Sequence, residues 1–382
     1  MKVNNQLMRS IWIENENFSE VMIIDQRALP HHLVIESISS PEQMVVAIRD
    51  MHVRGAPLIG VSAAWGVVLA LQNLSPEVFS SDPNLGWSQI MDKTSELKET
   101  RPTAINLMWA VDRMLDWLRA HWAGNEFVRL VAGARELAKK IMDEDVEHCH
   151  RIGEHGLSLI KEIHRRKKGV VNILTHCNAG WLACVDYGTA TSPMYLAHDS
   201  GIPIHVWVDE TRPRGQGAKL TAWELGQHGI PHTLIADNTG GHLMQHELVD
   251  LVITGADRVT RCGDVANKIG TYLKALAAKD NGIPFFVAIP SSTIDWNLSD
   301  GVKEIPIESR NQDEVRYMDG LVLGSDSDRV ESVLICPRNT QAVNYGFDVT
   351  PSRLISGFIT EKGVCPASEE GLCSLFLEEG LR

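Results

Sequence analysis

Apolar positions first recur in short runs. Residues 6–13, 21–25 and 32–37 read as strands of a small sheet. A helix is predicted from Ser40-Pro41, since serine suits the cap and proline the first helical position. From Gly55 to about Glu144 the pattern turns helical: long segments, few β-branched runs, spaced Trp and Leu. The most apolar stretch, residues 58–74, is rich in Gly and Ala and is interrupted by Ser62 and Gln72. A membrane span needs about 20 apolar residues, so a buried core helix is predicted instead. Residues 73–87 hold Ser, Pro, Asp and Gly and predict a surface loop, and residues 128–166 are helical again.

The pattern changes at Gly169. Short β-branched runs at residues 170–175, 204–208, 232–236, 251–254 and 285–288, with a weaker one at 333–336, alternate with helical segments. Continuous apolar strands between helices predict a parallel sheet covered on both faces. The fold class is therefore α/β. A mainly helical N-terminal domain with a small sheet spans 1–128, a connecting helix 129–168, and a Rossmann-like parallel-sheet catalytic domain 169–382. Ligands on such sheets sit outside the carboxyl ends of the strands. The turns after the early strands should therefore cluster around one site.

Composition narrows the chemistry. The 382 residues carry a net charge of −13, which argues against a nucleic-acid partner. The basic run Arg165–Lys168 predicts a solvated helix end. The first twenty residues lack an apolar leader, and no membrane association is expected. Seven scattered cysteines include no CxxC pair, so neither a zinc knuckle nor a disulfide framework is signalled. A reduced, cytoplasmic protein is the simplest expectation. His148, His150 and His155 lack ligand spacing, and no GxGxxG follows a strand. No metal or cofactor is expected.

Four turns carry candidate chemistry. In Thr175-His176-Cys177-Asn178, the cysteine follows a strand and is expected to precede a helix N-terminus, whose dipole would favour a thiolate. His176 should point away from it, because neighbours in extended chain face opposite sides. In Asp209–Ala218, arginines and glycines before a helical run suit a phosphate. Asp257, in Gly255-Ala256-Asp257-Arg258, is a general-acid candidate if burial raises its pKa. Gly263–Thr271 reads as a loop entering a helix, with Asn267 and Lys268 as a phosphate cradle. Arg54 and Arg101 precede helices of the first domain and could reach an anion. The residues alone indicate an enzyme of a phosphosugar or nucleotide with a Cys and an Asp, or a sensor of such a ligand.

These segments occur together with Arg54-Gly55-Ala56-Pro57, Arg101-Pro102-Thr103, Thr221-Ala222-Trp223-Glu224-Leu225, the stretch from Pro290 to Asp295, and Phe347-Asp348-Val349-Thr350-Pro351. In that order they resemble the methylthioribose-1-phosphate isomerase family, from about residue 40 to residue 365. That family shares its fold with the regulatory subunits of initiation factor 2B and with ribose-1,5-bisphosphate isomerases. The resemblance implies an aldose–ketose isomerase of methionine salvage, with Cys177 and Asp257 as the catalytic pair. It implies substrate contacts from Arg54, Gly55, Ala56, Arg101, Gln216, Asn267 and Lys268, a sugar-phosphate ligand and a homodimer. Isomerases of 5-deoxyribose 1-phosphate or ribose 1,5-bisphosphate are the alternatives, as is a non-catalytic subunit, which would generally lack the Cys/Asp pair. Two positions depart from the family pattern: the turn Asp237–Met244, and Trp296 where Phe is usual. The segment 324–344 is longer than usual.

Overall fold

The computed structural model describes residues 1–14, 20–124, 126–324 and 329–376. Near the N-terminus, Ile11–Ile13, Val21–Ile24 and Ile35–Ile38 form a three-stranded antiparallel sheet. The run expected over 6–13 divides into Gln6–Leu7 and Ile11–Ile13, and that expected over 32–37 begins later, at Ile35. Helix Pro41–Arg49 starts as predicted, with Ser40 and Gln43 forming a reciprocal capping box.

The apolar stretch becomes helix Ala56–Gln72, buried on nearly all sides by neighbouring helices. Among the described residues, no helix is long and apolar enough to cross a membrane. Residues 73–87 are not a loop. Ser75 and Asp82 cap helices Pro76–Ser81 and Pro83–Glu99, each with proline in its first turn. The same Ser-Pro and Asp-Pro pairs that suggest a loop are also helix-start signals. Helix Ile105–His121 completes this layer.

Helix Phe127–Lys167 is 41 residues long and joins two cores. Its first half packs Leu130, Ala134, Ala138 and Ile141 into the N-terminal core. Its second half puts Ile152 and Ile160 under the large sheet. Gly153 and Gly156 allow close approach to helix Ser192–Asp199, since a Cβ there would lie 2.2 Å from Ser192 Oγ and 2.4 Å from Pro193 Cγ respectively.

The large sheet has seven strands. Six are parallel: Val171–Thr175, Ile204–Asp209, His232–Ile235, Leu251–Thr254, Phe285–Ala288 and Gly357–Thr360. Numbered in chain order, these six lie side by side as 3-2-1-4-5-6, the Rossmann order. Gly363–Cys365 adds an antiparallel edge. The sixth parallel strand is Gly357–Thr360, not the run near 333–336. That run belongs to Val330–Leu334, which pairs with Tyr317–Leu321 in a separate exposed hairpin. Residues 325–328 of the segment noted as long lie outside the described residues.

A second sheet, ordered Ile294–Asp295, Arg258–Thr260, Val265–Lys268 and Phe347–Thr350, stands beside the site. In the N-terminal core, Trp65 is fully buried. Trp65→Ala should cost about 3–5 kcal/mol, read as a lower midpoint in urea denaturation.

Candidate active site

In the 3-2-1-4-5-6 order, the chain switches direction between Val171–Thr175 and Leu251–Thr254, and ligands bind at such a switch point. The first of these strands runs into His176 and Cys177. The second runs into Gly255, Ala256 and Asp257. The topology alone therefore brings Cys177 and Asp257 to one crevice.

All nine residues singled out in the sequence line one cavity: Arg54, Gly55, Ala56, Arg101, Cys177, Gln216, Asp257, Asn267 and Lys268. Pro57, Ala179, Ala183, Pro290 and Phe347 supply an apolar wall. Neither departure from the family pattern, the Asp237–Met244 turn or Trp296, contributes a lining residue.

The local geometry differs from expectation at three points. Cys177 does not precede an α-helix; a short 3-10 turn, Trp181–Ala183, comes next. Cys177 instead sits in the left-handed region at φ 67°. Its amide donates to Thr211 Oγ1 at 2.9 Å, and its carbonyl accepts from Thr221 Oγ1 at 2.7 Å. Secondly, Asn267 and Lys268 end a strand rather than opening a helix; Lys268 Nζ donates to the Gly346 carbonyl at 3.0 Å and lies 4.3 Å from the Phe347 ring centre. Thirdly, the arginines of the Asp209–Ala218 segment do not face the cavity. Arg212 donates to the Pro213 and Val315 carbonyls, and Arg214 pairs with Glu314. Only Gln216 of that segment lines the cavity, and its Oε1 is buried without a hydrogen-bond partner.

The first domain supplies the rest. Arg54 donates to the Asn178 side chain and, at 2.5 Å, to the Asn178 carbonyl. Gly55 has φ 96°, and a Cβ there would fall 2.5 Å from Ala183 Cβ, so only glycine lets this loop meet the 3-10 turn. Arg101 pairs with Glu308 at 3.2 Å and leaves Nη1 buried and unpartnered. Arg258 holds the Arg101 loop by donating to the Pro102 and Thr103 carbonyls.

Sequence reading missed the groups that fix these turns. His176 does point away from Cys177. Its Nδ1 lies 2.8 Å from Asp209 Oδ2 and its Nε2 lies 2.9 Å from the Ile269 carbonyl. Lys274 Nζ reaches the same Asp209 oxygen at 3.1 Å and also the Asp237 carbonyl. The Asp237 carboxylate accepts from the Thr211 and Arg212 amides at 2.6 and 2.7 Å. The Asp237 turn is thus a brace for the Thr211 loop. The missed signal was a set of polar and charged side chains, at strand ends and on helix Thr271–Asp280, too far apart in sequence to suggest partners.

Burial dominates the electrostatics. It pushes the Cys177 thiol up, against the pull of Arg54 and Lys268. It likewise raises the Asp257 carboxyl, against Lys268, Arg101 and Arg54. The Lys268 ammonium and the Arg54 guanidinium are pushed down by the same cause. Burial thus favours the uncharged forms of Asp257 and Cys177, and the basic side chains of Arg54, Arg101 and Lys268 line the same cavity, an arrangement suited to an anion.

Residues 52–367 match the Initiation factor 2 subunit family. Within that fold, the chain is 53% identical to the methylthioribose-1-phosphate isomerase of Desulfatibacillum aliphaticivorans, over 98% of this chain and 99% of that protein. It is 55% identical to the enzyme of the same name from Rhizobium meliloti, over 99% and 100%. The crystal structure of 5-methylthioribose 1-phosphate isomerase from Pyrococcus horikoshii superposes with a TM-score of 0.81 at 38% identity, covering 98% of this chain and 97% of that one. The delta subunit of translation initiation factor eIF-2B from A. fulgidus gives 0.76 at 35%, covering 97% and 100%. The chain belongs to the Initiation factor 2 subunit family and, within it, to the methylthioribose-1-phosphate isomerases.

Two outcomes test the site. Lys268→Met removes a cation that lowers the Cys177 thiol, so alkylation of Cys177 by iodoacetamide should require higher pH, followed peptide by peptide by mass spectrometry. An unchanged or lower midpoint contradicts the assigned electrostatics. Lys274→Met leaves buried Asp209 one partner short and should cost about 3–5 kcal/mol in chemical denaturation.

Proposed function

We propose that the protein converts 5-methylthioribose 1-phosphate, an aldose, into 5-methylthioribulose 1-phosphate, the ketose. The observation that carries this reading is the meeting of a buried carboxyl and a buried thiol at the switch point, ringed by Arg54, Arg101 and Lys268. The names of the relatives agree with it.

The anomeric oxygen of the substrate is esterified, so the ring cannot open as a free hemiacetal does. Asp257 in its acid form donates a proton to the ring oxygen as the bond from C1 to that oxygen breaks. Cys177, as the thiolate, removes the proton from C2, which forms an enol phosphate between C1 and C2. The thiol returns that proton to C1 while the 2-hydroxyl proton passes to the Asp257 carboxylate. The ketone at C2 results, and both residues regain their starting states. The raised Asp257 supports this role, since an acid must keep its proton near neutral pH. The raised Cys177 means that thiolate formation depends on Arg54 and Lys268. A hydride shift from C2 to C1, with Cys177 taking the 2-hydroxyl proton, uses the same residues.

The cations hold the phosphate, with Gln216 and Asn267 as polar partners. The apolar wall takes the uncharged 5-substituent. A homodimer is part of the proposal, as the resemblance implies.

A coupled assay for ketose formation, run with methylthioribose 1-phosphate and with 5-deoxyribose 1-phosphate, checks the substrate. Product from the first at the higher kcat/KM is expected; product from neither would point to a sensor subunit. Cys177→Ser and Asp257→Asn should each lower kcat by about 100-fold or more with the fold intact by circular dichroism. Solvent deuterium at C1 marks proton transfer, and its complete absence from product and recovered substrate marks a hydride shift.

A further inference from the structure

Glu224 sits beside the cavity without lining it, and only 1% of its surface is exposed. Its Oε2 accepts from the Leu182 amide at 3.3 Å. Its Oε1 has no hydrogen-bond partner, and the buried Tyr195 hydroxyl has none either. The Asn178 amide and that hydroxyl flank the carboxyl. Gly180 crosses so close that a Cβ would fall 1.3 Å from Oε1, so the chain keeps this position bare for the acid. Asn178 in turn is clamped by Arg54 through both its side-chain and backbone oxygens, and its Nδ2 donates to Thr221 Oγ1 at 3.1 Å. Arg54 is the first of the cations acting on Cys177.

We propose that Glu224 is a positioning residue for the reaction: its carboxyl holds the Leu182 amide just behind Asn178 and so backs the Asn178–Arg54 clamp that sets the guanidinium against Cys177. This inference rests on the isomerase reading. A neutral carboxyl does the task without competing for the charge of Arg54, whereas a carboxylate draws on it. Burial pushes Glu224 up to about 8, opposed by the Leu182 amide, Asn178, Arg54 and Tyr195. The titratable and charged groups facing it are Arg54 from the first domain, Tyr195 from helix Ser192–Asp199 and Cys184 after the 3-10 turn; Asp186 acts on Tyr195 from further out. Below about pH 8 the acid is uncharged and Arg54 serves the cavity alone. Above it, a new anion behind Arg54 holds the Cys177 proton on and opposes the substrate phosphate.

The test compares wild type with Glu224→Gln and Glu224→Ala. The amide should keep kcat/KM at pH 7 within about threefold and move the alkaline fall of kcat/KM up by about one pH unit. The alanine should lose about tenfold or more at every pH, because the Leu182 turn behind Asn178 loses its anchor. Alkylation of Cys177 by iodoacetamide, read on its own peptide, needs no substrate; the Glu224→Gln thiol should titrate at lower pH than wild type. Superimposable pH profiles for wild type and Glu224→Gln in both assays would overturn the proposal. Should Glu224→Gln fail to fold, Tyr195→Phe replaces it. Loss of the hydroxyl removes a rotatable donor beside the carboxyl that can turn to meet the anion, so the alkaline fall should move to higher pH, and an unmoved fall overturns the idea. A wild-type protein that isomerises neither sugar counts against the isomerase reading, while the alkylation arm still decides the role of Glu224.

Discussion

The buried polar network of His176, Asp209 and Lys274 is the constraint on which the site depends. Its members come from the ends of two adjacent strands and from helix Thr271–Asp280. Its hydrogen bonds reach on to the Ile269 and Asp237 carbonyls. Charges taken out of water are costly, and mutual attraction offsets that only with close geometry. The network therefore has one low-energy arrangement, and four turns must adopt it together. Cys177 follows His176 directly, and Lys268 lies two residues before Gly270, which packs against the His176 ring. The value of the network lies in register between turns rather than in net stability.

One cause acts on both reacting groups, with opposite consequences. Exclusion of water makes Asp257 a usable acid and makes Cys177 a reluctant thiolate. The surrounding cations distinguish the two. Arg54 leads the influences that oppose burial at Cys177, followed by Lys268, whereas at Asp257 Lys268 and Arg101 come before Arg54. Arg54, carried by the N-terminal part of the chain, thus acts together with Lys268 on a thiol carried by the large sheet.

Much of this was legible in the sequence because it is local. The strands Leu251–Thr254 and Phe285–Ala288 begin and end where their apolar runs do, and Ser40 caps its helix as its position suggested. Cys177 and Asp257 were readable as strand-end residues, and the switch point explains why two such ends meet. What was not legible depends on contacts distant in sequence. The turn at Asp237 looked like a departure of unknown purpose until its carboxylate was seen to hold the Thr211 loop. Arg212 and Arg214 had the composition of a phosphate site, yet carbonyls and Glu314 occupy them. The left-handed backbone at Cys177 has no sequence signature, because cysteine seldom adopts it.

The helix Phe127–Lys167 gives the molecule a mechanical property that neither domain has alone. At 41 residues it is a beam of about 60 Å. One half is embedded in each core. A flexible linker would let the halves of the crevice swing apart on every thermal fluctuation; a continuous helix transmits bending and twisting instead. Melting of either core strips one half of the beam of its packing and weakens the other. The shared helix thus couples the two cores, and a lesion remote from the crevice, in the core around Trp65, acts on the crevice through alignment rather than contact.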